Sequence, residues 1–307
     1  MAKTDHLEAG ALVAGVLVAV GMLVLMLVVE ARPAEATFPG KNGNIAYVSR
    51  DATGGVDYEI YTISPGGGGG NQFTYNSRDD TDPSYSSNGQ TIASSGPYPG
   101  DPPGRENINI YNVGSGGGSI NLTDNGDSAN CEGSACDSHD PSYSPDGKKI
   151  AYDGHSPQGG NYEIYTISTD GGGTRVQLTN DPKDDRHPSY SPDGKKIAFD
   201  SNRSGTLEIY TINADGTGTF QVTHNDTNDY HPSYSPDGQK IAYSGYDDVV
   251  YPGHPAASKD FEIYTINADG VGRRVKLTND DTNDYEPSWG SPPVVGIKPP
   301  PPAQLGP

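Results

Sequence analysis

This chain has little of what builds helical or disulfide-bonded proteins. Two cysteines are too few for a disulfide framework, and five Phe, three Met and one Trp, within an apolar fraction of 32%, are lean for one large core. Basic residues are scarce as well. Twenty Lys and Arg face 40 Asp and Glu over 307 residues, a formal charge of −20, and such a field repels nucleic acid and anionic membrane surfaces. No Gly-x-Ser-x-Gly elbow, His-Glu-x-x-His pair or Walker-type Gly-x-x-x-x-Gly-Lys loop occurs, which removes the motif-bearing hydrolases, zinc proteases and nucleotidases. What is abundant is punctuation: 41 Gly and 26 Pro exclude a mainly helical protein. Twenty Tyr supply large rings with a polar tip, which suits many short strands.

One long apolar run stands apart. Ala11–Val29 is uncharged over nineteen residues, enough to cross a bilayer as a helix. Ala34-Glu35-Ala36 behind it has the small-x-small form of a secretory cleavage site. The expectation is a signal peptide over residues 1–36, with Thr37 opening the mature chain, or an uncleaved signal anchor. Either places the remainder outside the cytoplasm, and the membrane is met only through residues 11–29.

The remainder repeats itself. DPSYSSNGQTIAS, DPSYSPDGKKIAY, HPSYSPDGKKIAF and HPSYSPDGQKIAY begin at Asp82, Asp140, His187 and His231, and a truncated EPSWG begins at Glu286, at intervals between 44 and 58 residues. Each unit continues with EIYTI or a relative and ends with FTYN, NLTD, QLTN, QVTH or KLTN. Periods of this size predict an all-β propeller with four strands per blade. Ser-Pro-Asp-Gly turns strand a (PSYS) into strand b (KKIAY), and Asp-Gly turns strand c (EIYTI) into strand d. The a–b and c–d turns then share one face, while the b–c and d–a connections share the other. The first set is nearly constant between repeats and the b–c loops vary widely, so binding is expected on the loop face.

The chain opens with a strand b, Ile45-Ala46-Tyr47-Val48, that has no strand a. It closes with a strand a, Pro287-Ser288-Trp289, that has no strand b. Pairing the two predicts five four-stranded blades and no free edge, with six blades as the alternative. The domain organisation is therefore residues 1–36, a propeller over 37–290, and a Pro-rich tail over 291–307.

SPDGKKIAY followed by EIYTI and QLTN resembles the TolB-like, WD-type propeller repeat of exported bacterial proteins. The resemblance covers about residues 43–290. It implies a monomeric scaffold that binds another protein at the cell envelope or outside the cell. Related propellers also precede serine peptidases, but only eighteen residues follow Trp289. The chain is read as a non-enzyme, with a glycan-binding or glycan-active propeller, such as a glycosidase, or a calcium-dependent adhesion module as alternatives.

Candidate site residues lie around strand a. Asp82, Asp140, His187, His231 and Glu286 each precede its Pro, and Asp80, Asp185, Asp229 and Asp284 stand two positions earlier, where the second unit has Ser138. These d–a loop residues are expected to ring the channel mouth. There they would hold a cation such as calcium, or merely cap turns through their side chains. The longest b–c loop adds Tyr246, Asp247, Asp248 and Tyr251 to the binding face. Cys131 and Cys136 share one long d–a loop and are expected to form a local disulfide. A metal site with His139 is the rival, and it lacks a fourth ligand.

Overall fold

Alternation along each strand builds the propeller. The computed structural model describes residues 44–50, 57–64, 71–98, 105–113, 119–123, 137–156, 160–172, 174–246, 260–279 and 283–289. The expected N-terminal helix and cleavage site, Cys131, Cys136, Asp247, Asp248, Tyr251 and the Pro-rich tail lie outside the described residues.

Among the described residues, nineteen strands form five antiparallel sheets in chain order. Blade 1 holds β1 (Ile45–Arg50), β2 (Tyr58–Ile63) and β3 (Asn71–Gln72), and blade 2 holds β4 (Thr81–Tyr85), β5 (Thr91–Gly96), β6 (Asn107–Asn112) and β7 (Ser119–Asn121). Blade 3 runs β8 (Ser138–Tyr143), β9 (Lys149–His155), β10 (Tyr162–Ser168), β11 (Val176–Gln177). Blade 4 runs β12 (Asp185–Tyr190), β13 (Lys196–Ser201), β14 (Glu208–Asn213), β15 (Phe220–Gln221). Blade 5 runs β16 (Asp229–Tyr234), β17 (Lys240–Tyr246), β18 (Phe261–Asn267), β19 (Val275–Lys276). Successive first strands β4, β8, β12 and β16 pack against one another, as the innermost strands of a propeller do.

The core lies between blades. In blade 3, Ile150, Tyr152, Tyr165 and Ile167 face blade 2 and meet Ala93, Ile108, Ile110 and Leu122. Ala151 and Ile164, one residue out of phase, face blade 4 and meet Tyr190, Ile197, Phe199 and Tyr210. The next interface repeats the scheme with Ala198 and Ile209 against Tyr234, Ile241, Tyr243 and Tyr264. The Ile-Ala-Tyr and Glu-Ile-Tyr-Thr-Ile motifs are therefore two-sided. Period-two alternation sends the large rings to one neighbour and a small Ala to the other, so that flat sheets stack closely. Each buried Ile or Tyr contributes about 2 kcal/mol by area removed from water.

The constant turns rest on one device. Ser144 Oγ donates to Asp146 Oδ1 and accepts from the Lys149 N–H, Asp146 Oδ1 accepts from the Lys148 N–H, and Gly147 turns at φ 70°. Ser191/Asp193 and Ser235/Asp237 repeat it, and Ser86/Asn88 repeat it with the amide.

The Thr of each LTN-type motif accounts for the short strand d. Its Oγ accepts the N–H that strand c would otherwise offer to a ladder: Ile60 to Thr74, Ile108 to Thr123, Ile164 to Thr179, Ile209 to Thr223 and Ile263 to Thr278. The same hydroxyl donates to the buried carboxylate of Glu59, Glu163, Glu208 or Glu262, and in blade 2 to Asn107. Glu59 and Glu208 also accept the backbone N–H of Asn76 and Asn225, whose side chains donate to Asp80 and Asp229.

Two expectations need correction. Strand a begins before its proline, at Thr81, Ser138, Asp185 and Asp229, so the residues assigned to d–a loops lie in the strand or at its threshold. A bulge makes this compatible with proline. In blade 4, Arg186 pairs with Asp200 and Ser189 with Ala198, so His187 and Pro188 together oppose Phe199, and the proline sits where no ladder N–H is called for. Second, the sheet containing β1 has three strands, and Pro287–Trp289 form no strand. The predicted closing ladder is absent among the described residues. No Ser-Pro-Asp-Gly turn ties these two ends, and that turn sets the a–b register elsewhere.

Burial of the acid network has a pH signature. Asp229 is fully buried beside the Glu208 carboxylate, and burial first, then that charge, push its pKa up to about 7. A carboxyl whose folded pKa exceeds its unfolded value stabilises fully below the unfolded pKa, near 4, and loses that contribution as pH rises toward 7. Urea unfolding should therefore show Asp229→Asn gaining stability relative to the native chain between pH 4.5 and 7.5. Parallel stability curves would contradict this assignment.

Candidate functional site

The bulge fixes the backbone of the channel mouth. Asp82, Asp140, His187, His231 and Glu286 all adopt φ between 51° and 54°, the left-handed region, and each precedes a proline, which disfavours the right-handed helical alternative. Asp and His enter this region more readily than most side chains. That preference explains four of the five residue types without any ligand.

The bulge also turns each backbone N–H toward the neighbouring blade. Asp140 donates to Ser95 Oγ at 3.1 Å, His187 to Asp153 Oδ1 at 3.3 Å, His231 to Asp200 Oδ2 at 3.1 Å and Glu286 to Ser244 Oγ at 3.1 Å. The acceptors occupy one equivalent position on strand b of the preceding blade. At the first junction that position is Val48, which offers no side-chain acceptor. Glu286, although in no strand, thus docks on blade 5 as strands a dock on their predecessors.

Three of the five ring side chains come together. His187 Nε2 lies 3.6 Å from Asp140 Oδ2, and the His187 and His231 rings are 3.8 Å apart between centroids, tilted by 36°. Behind them His187 Nδ1 meets the buried Asp200 Oδ2 at 2.6 Å. Burial opposes charge on His187, but Asp200 outweighs it and pushes the pKa up to about 10. His231, buried and repelled by that imidazolium, falls to about 4. Asp140 is raised well above the carboxylate range by burial and then by the charges of Asp153 and Asp82, with His187 opposing. Asp82 accepts from Thr81 Oγ, and the Glu286 side chain is exposed.

The second predicted set does not reach the mouth. Asp80, Asp185 and Asp229 are fully buried within their own blades. Asp185 is gripped by Arg203, Asp229 lies 3.8 Å from Arg274 Nη1, and Asp80 accepts from Asn76. Small residues on strand b make room for them: a Cβ on Gly96 would come within 2.1 Å of Asp80 Oδ1. Asp284 donates its N–H to the Phe261 carbonyl. Among the described residues no three His, Cys, Asp or Glu are arranged to hold a metal.

On the loop face Tyr246 joins an aromatic group centred on Phe261. That ring has Tyr246 at 5.2 Å, Tyr230 at 5.4 Å and Tyr285 at 5.0 Å between centroids. Tyr285 is half-exposed.

Residues 128–250 match the model of the TolB beta propeller domain. A protein assigned as TolB from Agrobacterium tumefaciens is 25% identical with a TM-score of 0.58, over 74% of this chain and 79% of that one. TolB from Acinetobacter baumannii is 22% identical with a TM-score of 0.60, over 77% of this chain and 53% of that one. An oligogalacturonate lyase in complex with manganese shares the fold at 15% identity and a TM-score of 0.53, over 77% of this chain and 62% of that one. No curated protein matches the sequence.

The two adjoining imidazoles should titrate far apart. NMR of labelled histidine should show His187 protonated to about pH 10 and His231 neutral down to about pH 4. Asp200→Asn removes the charge that holds the His187 proton and should bring its titration below neutrality. Joint titration of both rings near 6.5 would overturn the assignment.

Proposed function

We propose that this chain, a TolB-like propeller, is a non-enzymatic scaffold outside the cytoplasm that binds another protein through the face carrying its b–c and d–a loops. The observation that carries the reading is the segregation of the two faces. One is a set of near-identical Ser-x-Asp-Gly or Ser-x-Asn-Gly turns, which cannot distinguish partners, and the other combines divergent loops with the ionised channel mouth and the Phe261 aromatic group. Variable loops on a rigid frame are the usual place of recognition, and tyrosines that bury area while offering a hydroxyl suit a protein interface.

His187 does not suit the role of a general base. Held by Asp200, it is an imidazolium at neutral pH and has no lone pair with which to accept a proton. The enzymes among the structural relatives share the fold alone. Extracytoplasmic placement rests on the residue 1–36 segment and on the TolB-like repeat.

Retention from envelope extracts on the immobilised full chain tests this. A discrete protein should be held, and Tyr246→Ala with Tyr285→Ala should reduce its retention about tenfold or more, as loss of interface aromatics does. Lys148→Ala with Lys195→Ala, on the turn face, should leave it unchanged. Equal loss from both faces, or retention of carbohydrate in place of protein, would contradict the scaffold.

A further inference from the structure

The repeat departs from its own pattern at the loop-side end of blade 5. In blade 3 the first ring of strand c, Tyr162, is covered from within: the Arg186 guanidinium lies 3.5 Å from its centre, His155 packs at 4.1 Å between centroids, and Asp184 stands 4.0 Å from that Arg. Tyr285 follows blade 5 as Arg186 follows blade 3. The equivalent ring, Phe261, therefore meets Tyr246, Tyr230 and Tyr285 in place of a guanidinium.

This aromatic group is preformed and partly open. The Phe261 N–H donates to Asn283 Oδ1 at 3.0 Å and its carbonyl accepts the Asp284 N–H at 2.7 Å, which pins the segment carrying Tyr285 against the start of β18. Tyr285 keeps 50% of its surface open, Tyr246 and Tyr230 are half-buried, and Asp284 and Glu286 flank Tyr285 in the chain. Tyrosine-lined surfaces of this kind receive proline-rich segments, because the rings take the proline faces and the hydroxyls donate to peptide carbonyls. Acid at the edge favours a segment with a cation beside its prolines.

The chain carries such a segment outside the described residues. Lys298 is the only charged side chain in residues 290–307, and Pro299, Pro300, Pro301 and Pro302 follow it directly. A run of prolines has no N–H to give a sheet, so it cannot extend a blade, and its carbonyls stay free to accept. It also starts close by. Trp289, the last described residue, is four positions beyond Tyr285, and the nine residues from there to Lys298 span about 30 Å when extended, enough to turn back.

We propose that Pro299–Pro302 of this chain's own tail covers the Tyr246, Phe261 and Tyr285 rings, with Lys298 beside Asp284 and Glu286, and that the tail competes with the protein partner for the loop face. The competition rests on the scaffold reading; the docking itself does not. At an effective concentration of about 1 mM, set by the short tether, even a segment with a Kd of about 0.1 mM is docked about nine-tenths of the time.

The test is nitration of Tyr285 in the full chain, read by peptide mass analysis. Pro300→Gly with Pro301→Gly, which changes neither charge nor any propeller residue, should speed it about tenfold. The native rate should hold over about a hundredfold dilution, as an intrachain contact requires. A labelled peptide of residues 294–307 should bind the glycine variant, and adding Tyr285→Ala should weaken that binding about tenfold. Equal nitration of the native chain and the glycine variant would overturn the proposal. So would protection lost on dilution, which assigns the tail to a second copy, or peptide binding indifferent to Tyr285→Ala. An envelope protein held through Tyr246 and Tyr285 should be retained more strongly by the glycine variant. Equal retention would overturn the competition and leave the scaffold standing, whereas slow native nitration with no protein retained would sink the scaffold and support the docked tail.

Discussion

A proline inside the innermost strand of blades 2 to 5 is the constraint on which the rest depends. It cannot donate to a ladder, so the strand must bulge there, and the preceding residue takes a left-handed backbone at φ near 52°. The bulge releases one N–H per blade from the sheet. At three junctions that N–H crosses to the neighbouring blade and finds Ser95, Asp153 or Asp200, and the Glu286 N–H, also ahead of a proline, finds Ser244. A feature that would weaken an isolated sheet thereby becomes the bond between sheets.

Packing and chemistry both follow from it. The blades are brought face to face, and the alternation of Ile-Ala-Tyr fills the space with tyrosine on one side and alanine on the other. The same bulge aims the side chains of Asp140, His187 and His231 at one another, and two of the acceptors, Asp153 and Asp200, are acids. Blades 3 and 4 therefore combine an inter-blade bond with an ionised mouth, whereas Ser95 and Ser244 give neutral junctions. The asymmetry of the ring, an acidic and imidazole-bearing arc beside uncharged junctions, comes from which residue accepts that single N–H. The glutamates of strand c are held apart from this arc: the Glu59, Glu163, Glu208 and Glu262 carboxylates close strand d through a threonine.

Much of this was legible in the sequence because it is repeated. The Ser-Pro-Asp-Gly turn and the period of the motifs lead directly to four-stranded blades, and Asp146, Asp193 and Asp237 do in the structure what turn chemistry requires. The Ser-Pro-Asp-Gly turn locates strand a at PSYS, and nothing in turn chemistry says that the strand starts earlier and bulges through its proline. The signal was present nonetheless: Asp, Asp, His and His before the four complete prolines are residues that tolerate a left-handed backbone. The Glu of EIYTI and the Thr of QLTN were read as landmarks. A charged residue repeating inside an apolar strand, with a hydroxyl at fixed distance, is the trace of a buried pair. Asp185 and Asp229 are drawn inward by strand pairing with Ser201 and Gly245, and Asp80 by its close approach to Gly96, in a register that the bulge shifts and residue types alone do not show.

The account turns on the bulge amides, and amide hydrogen exchange observes them one by one. The N–H groups of Asp140, His187, His231 and Glu286 should exchange slowly, with protection approaching that of ladder amides in β9 and β13, although no strand in their own sheet accepts them. The Asp82 N–H, opposite Val48, should exchange markedly faster. Fast exchange at all five positions, at the rate of exposed turn amides, would mean that the bulges do not join the blades.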